Sequence, residues 1–175
     1  MTGKFPLHHY YSGTATEKLD LAHSLHQTWG QLCNLNGTMR EAREELRLSA
    51  EALTLHMRSM GMNHLCSHCA TRPGGGCCSA LMADNTDALQ ILINLLLGIT
   101  VEQQPHKEDA CSFLGEQGCL FLAKPHFCLN YNCSHIRNKA TDTEMETLYR
   151  HTGLVLGRQA RVEMLLLEIF RRPSG

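Results

Sequence analysis

Residues 87–97 read Asp87-Ala88-Leu89-Gln90-Ile91-Leu92-Ile93-Asn94-Leu95-Leu96-Leu97. A helix over this segment carries apolar side chains around almost its whole circumference, so it has to be buried on most sides. A membrane span needs about 20 consecutive apolar residues, but the apolar stretch here ends at Val101 and is interrupted by Gln90 and Asn94. We therefore predict a short helix from Asp87 to Leu97, with Thr86 as its N-cap, at the centre of a globular fold.

Three longer amphipathic patterns surround this central segment. They run from about residue 16 to 33, from 38 to 60 and from 142 to 171, with apolar residues at helical spacing. Each begins at or just after a Thr that has a Glu three residues later, the spacing of a capping box, in the pairs Thr14–Glu17, Thr38–Glu41 and Thr141–Glu144. Asn36 and Gly37 read as a turn, so the first two helices are expected to form an antiparallel hairpin.

The composition favours one folded domain. The chain has 175 residues, 43% of them hydrophobic and 19% charged, which is normal globular usage. Strand patterns are weak throughout, so we predict an all-α fold, a helical bundle with a cysteine-rich metal-binding loop region. We expect residues 1–13 to form a flexible or loosely docked arm. Residues 14–175 should form a single helical domain with the cysteine cluster inserted at 62–136.

The charge balance argues against two classes of partner. The formal net charge is -1, so nothing in it favours binding to nucleic acid or to a membrane surface. Residues 1–13 contain no apolar run of the kind found in secretory signals, so we expect a cytoplasmic protein with reduced thiols. The run Met164–Leu167, followed by Ile169 and Phe170, is more apolar than one narrow stripe requires. It predicts a protein partner or a homodimer through the C-terminal helix.

Nine cysteines are the strongest chemical signal in the chain. In a reducing compartment, cysteines usually serve as metal ligands or redox thiols and do not form a disulfide framework. Eight of them fall in one segment and are predicted metal ligands: Cys66, Cys69, Cys77, Cys78, Cys111, Cys119, Cys128 and Cys133. Cys33 lies far from them in sequence and is expected to be a buried structural thiol.

The spacing of the eight cysteines supports metal binding more than redox chemistry. A C-x2-C pair such as Cys66 and Cys69 directs two thiolates to one ion through a tight turn. Thioredoxin-like redox motifs share that spacing but belong to βαβ units, and the flanking pattern here is helical. Adjacent Cys77 and Cys78 should diverge, so they serve different ions or different atoms of one cluster, or only one of them is a ligand.

Polar residues beside the cysteines have two interpretations. Four histidines are expected to lie outside the ligand set or to be exposed, because eight thiolates are available: His64, His68, His126 and His135. Five cations could balance thiolate charge or simply serve surface solubility: Arg72, Lys107, Lys124, Arg137 and Lys139.

The ordered cysteine pattern resembles the YkgJ-type cysteine-cluster family of zinc- or iron-chelating domains. The elements that carry the resemblance are Cys66-Ser67-His68-Cys69, Cys77-Cys78, Cys111-Ser112-Phe113-Leu114, Gly118-Cys119, Lys124-Pro125-His126-Phe127-Cys128 and Asn130-Tyr131-Asn132-Cys133. Lys124 stands where the family pattern has an arginine. The pattern is also similar to the cysteine region of flagellin lysine methylases, which carry an iron–sulfur cluster. The resemblance therefore implies iron.

Thiolate chemistry alone leaves the metal open, because zinc and iron–sulfur clusters both accept four thiolates. Eight cysteines could form two tetrahedral sites, or one four-iron cluster with four spare thiols. We expect a metal-binding protein with a 4Fe-4S cluster or, alternatively, zinc. A protein-modifying or redox enzyme that uses the cluster is the second class, less favoured because no nucleophile–base pair is evident. A helical interaction module with structural zinc is the third.

Overall fold

The computed structural model describes residues 6–70, 76–104 and 109–171, and these ranges are mostly helical. The predicted all-α class is therefore confirmed. A short hairpin of two antiparallel strands, β1 (Leu114–Gly115) and β2 (Gly118–Cys119), is the exception. The helices are α1 (Ala15–Leu35), α2 (Gly37–Ser59), α3 (Met62–Ala70), α4 (Ala80–Asp84), α5 (Ala88–Leu96), α6 (His126–Asn130), α7 (Ser134–Arg137) and α8 (Asp142–Arg171), with a 3-10 turn at Leu7–Tyr10.

Helix α5 forms the centre of the fold, as its sequence predicts. Every residue of α5 except Leu95 is buried. The helix begins one residue later than expected, because the N-cap is Asp87, whose carboxylate accepts a hydrogen bond from the backbone N–H of Gln90 at 2.7 Å. The predicted N-cap, Thr86, is instead buried beneath the helix start at 2% exposure. An Asp side chain is as effective a cap as Thr or better.

The long helices pair differently from the expected hairpin. One residue, Asn36, separates α1 from α2, and its side chain accepts a hydrogen bond from Met39 N at 2.9 Å. The predicted N-cap at Thr38 is therefore wrong, because Asn36 takes that role two residues earlier. Helix α1 packs chiefly along α5, and α2 packs chiefly along α8.

Contacts at both ends fix α2 and α8 as an antiparallel pair. Near the start of α2, Glu45 forms an ion pair with Arg161 at 2.8 Å. Near its end, a ring nitrogen of His56 lies 2.9 Å from the backbone oxygen of Glu144. The capping boxes predicted at the starts of α1 and α8 are both present in the structure.

The described part of the N-terminal arm is docked on the domain. Tyr10 is buried, and its ring centroid lies 5.9 Å from that of Phe170 in α8. Phe170 also packs against Trp29 of α1, with ring centroids 5.5 Å apart. Tyr11 donates a 2.6 Å hydrogen bond to Glu163. The docked form of the expected arm thus fits residues 6–13, while residues 1–5 lie outside the described ranges.

These contacts also bury part of the apolar run at the C-terminal end of α8. Leu166, Ile169 and Phe170 are buried within the protein's own core, whereas Met164 is exposed. The homodimer predicted from this run stays a prediction. The apolar surface that this end of α8 leaves exposed for a partner is smaller than the sequence suggests. No described helix combines the length and the apolar character that a bilayer crossing requires.

A buried polar network joins α5 to the cysteine segment. Asn94 donates to the backbone oxygen of Ala123 at 2.9 Å and accepts from the backbone N–H of Ala123 at 3.0 Å. Gln90 donates to the same oxygen at 2.6 Å and accepts from Gln159 of α8. Buried backbone groups need such partners, so the two amides that interrupt the apolar segment 87–97 hold the chain at Ala123.

Replacing Asn94 by Ala should destabilise the protein by about 3 kcal/mol, because it leaves the buried Ala123 N–H without a partner and opens a small void. Urea unfolding followed by circular dichroism measures the effect. Asn138→Ala, at an exposed position, is the matched control and should change stability by less than about 0.5 kcal/mol. Equal stability losses in the two variants would contradict the role of the network.

The free energy of unfolding should fall as the pH rises from about 4 to about 6, because Asp87 loses its proton in the folded protein over this range. Burial, with a smaller contribution from Glu163, raises the pKa of this carboxyl from its ordinary 3.8 to about 6, against the opposing effect of two backbone N–H groups and Lys18. The folded state therefore binds the proton more tightly than the unfolded state, and the cost of ionisation is complete above pH 6.

Asp87→Asn keeps an N-cap without the charge. This variant should match the wild type near pH 4 and be more stable by about 1–3 kcal/mol at pH 7. Urea titrations at several pH values test this. A stability difference that does not change between pH 4 and 7 would be inconsistent with a raised pKa at Asp87.

Candidate metal centre

The C-x2-C pair lies on a helix rather than in the tight turn that its spacing suggested. Gly61, with a positive φ of 69°, ends the turn after α2, and α3 begins at the next residue. Cys66 and Cys69 are three residues apart on α3, so they lie on neighbouring positions of one helix face. The structure therefore does not confirm the expected loop character of the cysteine region, because this pair lies on a helix.

Six of the eight predicted ligands line one cavity of about 450 Å³. They come from separate parts of the chain: α3, the segment before α4, the segment before β1, the strand β2, and α6. These residues are Cys66, Cys77, Cys78, Cys111, Cys119 and Cys128. The structure therefore brings together thiols that precede the buried helix α5 in sequence and thiols that follow it.

Backbone contacts place the cavity walls. The backbone N–H of Cys111 donates to the backbone oxygen of Cys78 at 3.1 Å, next to a bridge between Ser79 and Ala110. The hairpin β1–β2 lies against α3, where a Cβ added at Gly118 would come within 3.3 Å of the Cβ of Asn63. Gly118 also has a φ of 103°, which favours glycine. This close approach brings Cys119 to the same cavity as Cys66.

The remaining cysteines do not line the cavity. Cys69 lies beside Gly76, where an added Cβ would come within 2.8 Å of its sulfur. Cys133 is the N-cap residue of α7 and packs against the core. Cys33 is buried in α1 at 1% exposure, with Arg43 near its thiol. The predicted separation of Cys33 from the other cysteines agrees with this placement.

The thiols influence one another electrostatically. The side chain of Cys78 hydrogen-bonds to both Cys66 and Cys77. The contact with Cys78 lowers the pKa of Cys77 to about 6, and it also lowers the pKa of Cys66. The same two contacts raise the pKa of Cys78. Burial raises the pKa of Cys111 to about 11 and that of Cys128 to about 12. In the absence of a metal, the buried side of the cavity therefore favours neutral thiols.

One of the five predicted cations lies inside the cavity. Lys124 is only 9% exposed, and its ammonium donates a hydrogen bond to Thr54 Oγ1 at 3.2 Å. Burial lowers the pKa of Lys124, and Cys119 opposes that shift. Arg137 and Lys139 are exposed, whereas Arg72 and Lys107 lie outside the described residues.

The four histidines near the cysteines lie at the surface, as expected, and none is on the cavity wall. The wall includes apolar residues that the sequence did not indicate: Met57, Met62, Met82, Phe113 and Ile136. Exposed apolar side chains at Leu81, Phe127 and Tyr131 also contribute to it. Phe113, Phe127 and Tyr131 lie within the elements that carry the family resemblance, and Met57 lies in a helical apolar stripe, which is also typical of an ordinary core.

The thiols surround a space instead of converging on a point. Within residues 6–70, 76–104 and 109–171, no three His, Cys, Asp or Glu side chains are close enough together to hold a metal ion. The donor set is nevertheless the one that zinc and iron–sulfur clusters prefer. The residues therefore fit a thiolate-bound group in their chemistry, and the sulfurs have to move inward to ligate a single ion.

The fold and the cavity define a helical protein with a cysteine-lined cavity. Comparison with protein-family models, with curated proteins and with solved structures gives no match. The resemblance to the YkgJ-type family therefore depends on the ordered sequence motifs around the cysteines alone.

Cys77 and Cys33 should differ most in their reactivity toward iodoacetamide in the reduced, metal-free protein. Cys77 is exposed, whereas Cys33 is buried within α1. Alkylation of Cys33 requires local unfolding, so it should be on the order of 100-fold slower. Peptide mass spectrometry at timed intervals gives the rates, and all nine cysteines should react in urea. Comparable rates at the two positions under native conditions would contradict this placement.

Proposed function

We propose that this protein binds a metal centre through the cysteines of the cavity, with a 4Fe-4S cluster as the first candidate and zinc as the alternative. The observation that carries the proposal is the meeting of six thiols from distant segments at one cavity. Single cysteines are often small buried hydrophobes. Six of them around one partly open space are better explained by a shared ligand.

The shape of the site favours a cluster over a single ion. Zinc–sulfur bonds are about 2.3 Å long, so four zinc ligands have to converge on one point. The thiols here are instead distributed around a volume of about 450 Å³. A cluster spreads its ligands over several iron atoms and needs room for its sulfides. When bound, it would supply one-electron chemistry.

Six cysteines exceed the four that one cluster requires, so two are left over within the cavity. Cys66, Cys119 and Cys128 each have Lys124 as an electrostatic neighbour, which places them around the buried end of the site. Cys77 is the exposed member of the six, whereas the other five are half-buried. Cys69 and Cys133 are the least favoured of the eight predicted ligands, because they do not line the cavity.

A reducing compartment suits this site, since thiolate ligands must stay reduced. We therefore place the protein in the cytoplasm. The described lining residues include no Asp or Glu that could act as a general base. This supports a role in electron transfer or in metal-dependent folding over the alternative of a protein-modifying enzyme.

Replacing a cavity cysteine should reduce metal content, and replacing Cys33 should not. We expect Cys66→Ser and Cys119→Ser to lose most of their iron and sulfide, or zinc, after anaerobic purification. Structural metal binding is worth on the order of 10 kcal/mol, so the same variants should also lose folded stability. Elemental analysis and the visible spectrum measure the content.

Cys33→Ser is the matched control, because it removes a thiol outside the cavity and should keep the wild-type metal content. Cys69→Ser and Cys133→Ser should fall closer to Cys33→Ser than to the cavity variants. Full metal retention in both cavity variants, or absence of metal from the wild type after iron–sulfide reconstitution and zinc titration, would refute the proposed function.

A further inference from the structure

The charges on the cavity wall are unbalanced. Its described lining residues include two cations, Arg58 and Lys124, and no Asp or Glu. Arg58 is exposed and can be solvated, whereas Lys124 is 9% exposed. The hydroxyl of Thr54, which accepts from the Lys124 ammonium, is neutral. Among the described lining residues, no carboxylate is therefore present to compensate the buried ammonium.

An uncompensated ammonium in a largely apolar cavity is costly. The effective penalty is several kcal/mol per buried ion unless an opposite charge is paired with it. The groups near Lys124 that can become negative are thiols, among them Cys66, Cys119 and Cys128. These three cysteines and Lys124 line the same cavity, and a thiol that binds a metal is deprotonated. Metal binding would thus place thiolate charge next to the ammonium.

Hydrogen bonds from helix α5 fix the backbone next to Lys124. Its neighbour Ala123 has its backbone N–H and oxygen bonded to Asn94, and its oxygen also accepts from Gln90. Pro125 follows and is buried. The backbone that carries the ammonium is therefore held by buried hydrogen bonds, which fits a cation that has to be in place before the centre arrives.

We propose that Lys124 is the counter-ion of the metal centre, and that its ammonium offsets the negative charge that thiolates leave on a bound cluster or zinc ion. This inference builds on the proposed function. Four thiolates around one zinc ion leave a net charge of about −2, and a cation within a few Å stabilises such a charge strongly at low dielectric. The same cation favours the reduced state of a cluster, because reduction adds a further negative charge.

Lys124→Met tests the proposal because it should affect metal-free stability and metal binding in opposite directions. Removing an uncompensated buried charge should leave the metal-free protein as stable as the wild type or more stable. The same change should weaken zinc binding about tenfold or more and shift the reduction midpoint of a reconstituted cluster to a more negative potential. A lysine that serves only to bond Thr54 would produce the reverse pattern, with lower metal-free stability and unchanged metal binding.

Three further variants complete the design. Lys124→Arg keeps the charge and should restore zinc affinity and the midpoint to near wild-type values. Arg58→Met removes the exposed cation and should have a much smaller effect, since solvent screens it. Thr54→Val removes the hydrogen bond but keeps the ammonium, so it should retain the metal. Metal-free stability comes from urea unfolding, zinc affinity from chelator competition and the midpoint from a dye-mediated titration.

The outcomes separate the two proposals. A wild-type protein that binds neither zinc nor a cluster would overturn the proposed function and, with it, the counter-ion. A wild-type protein that binds metal, together with Lys124→Met variants of unchanged affinity and midpoint, would overturn the counter-ion alone. If Lys124→Met does not fold, Lys124→Gln serves in its place. The counter-ion proposal would also be overturned if Lys124→Arg lost as much metal as Lys124→Gln.

Discussion

Hydrogen bonds from two buried amides to one peptide group hold this molecule together. Asn94 and Gln90 lie in an otherwise apolar helix, and both bond to the backbone of Ala123. The cost of burying an amide without a partner makes this arrangement specific, because other registers of the chain would leave the amides unsatisfied. The helical core and the cysteine-lined cavity thereby share one fixed point, and α8 joins it through Gln159.

Much of the helical framework was predictable because it depends on local rules. Apolar periodicity and capping boxes located α1, α5 and α8 to within one or two residues. Helix α2 was located equally closely, but its N-cap is Asn36 rather than Thr38, because Asn36 is the one residue that links it to α1. Helix α3 was missed, since residues 62–70 have no capping pattern and contain cysteines, which are poor helix formers.

The candidate site was predictable as a set of residues but not as a geometry. Spacing identified eight cysteines, yet the separation of six cavity residues from Cys69 and Cys133 depends on how α3 and α7 pack. Burial of Lys124 had no signal of its own, because a lysine beside cysteines in sequence is usually at the surface. The Met and aromatic residues of the wall looked like ordinary core, since apolar periodicity does not distinguish a packed interior from a cavity lining.

The wide separation of the cavity residues along the chain bears on how the protein matures in the cell. The described wall begins with Thr54 and ends with Ile136, so a nascent chain cannot complete the cavity until Ile136 has been synthesised. Helix α8, which packs against α2, follows these residues. A cofactor delivered during translation would meet only Cys66, Cys77 and their neighbours on an incomplete domain. The centre proposed above could therefore be completed only after all of these cavity residues have been synthesised, and until then the early thiols would lack their partners.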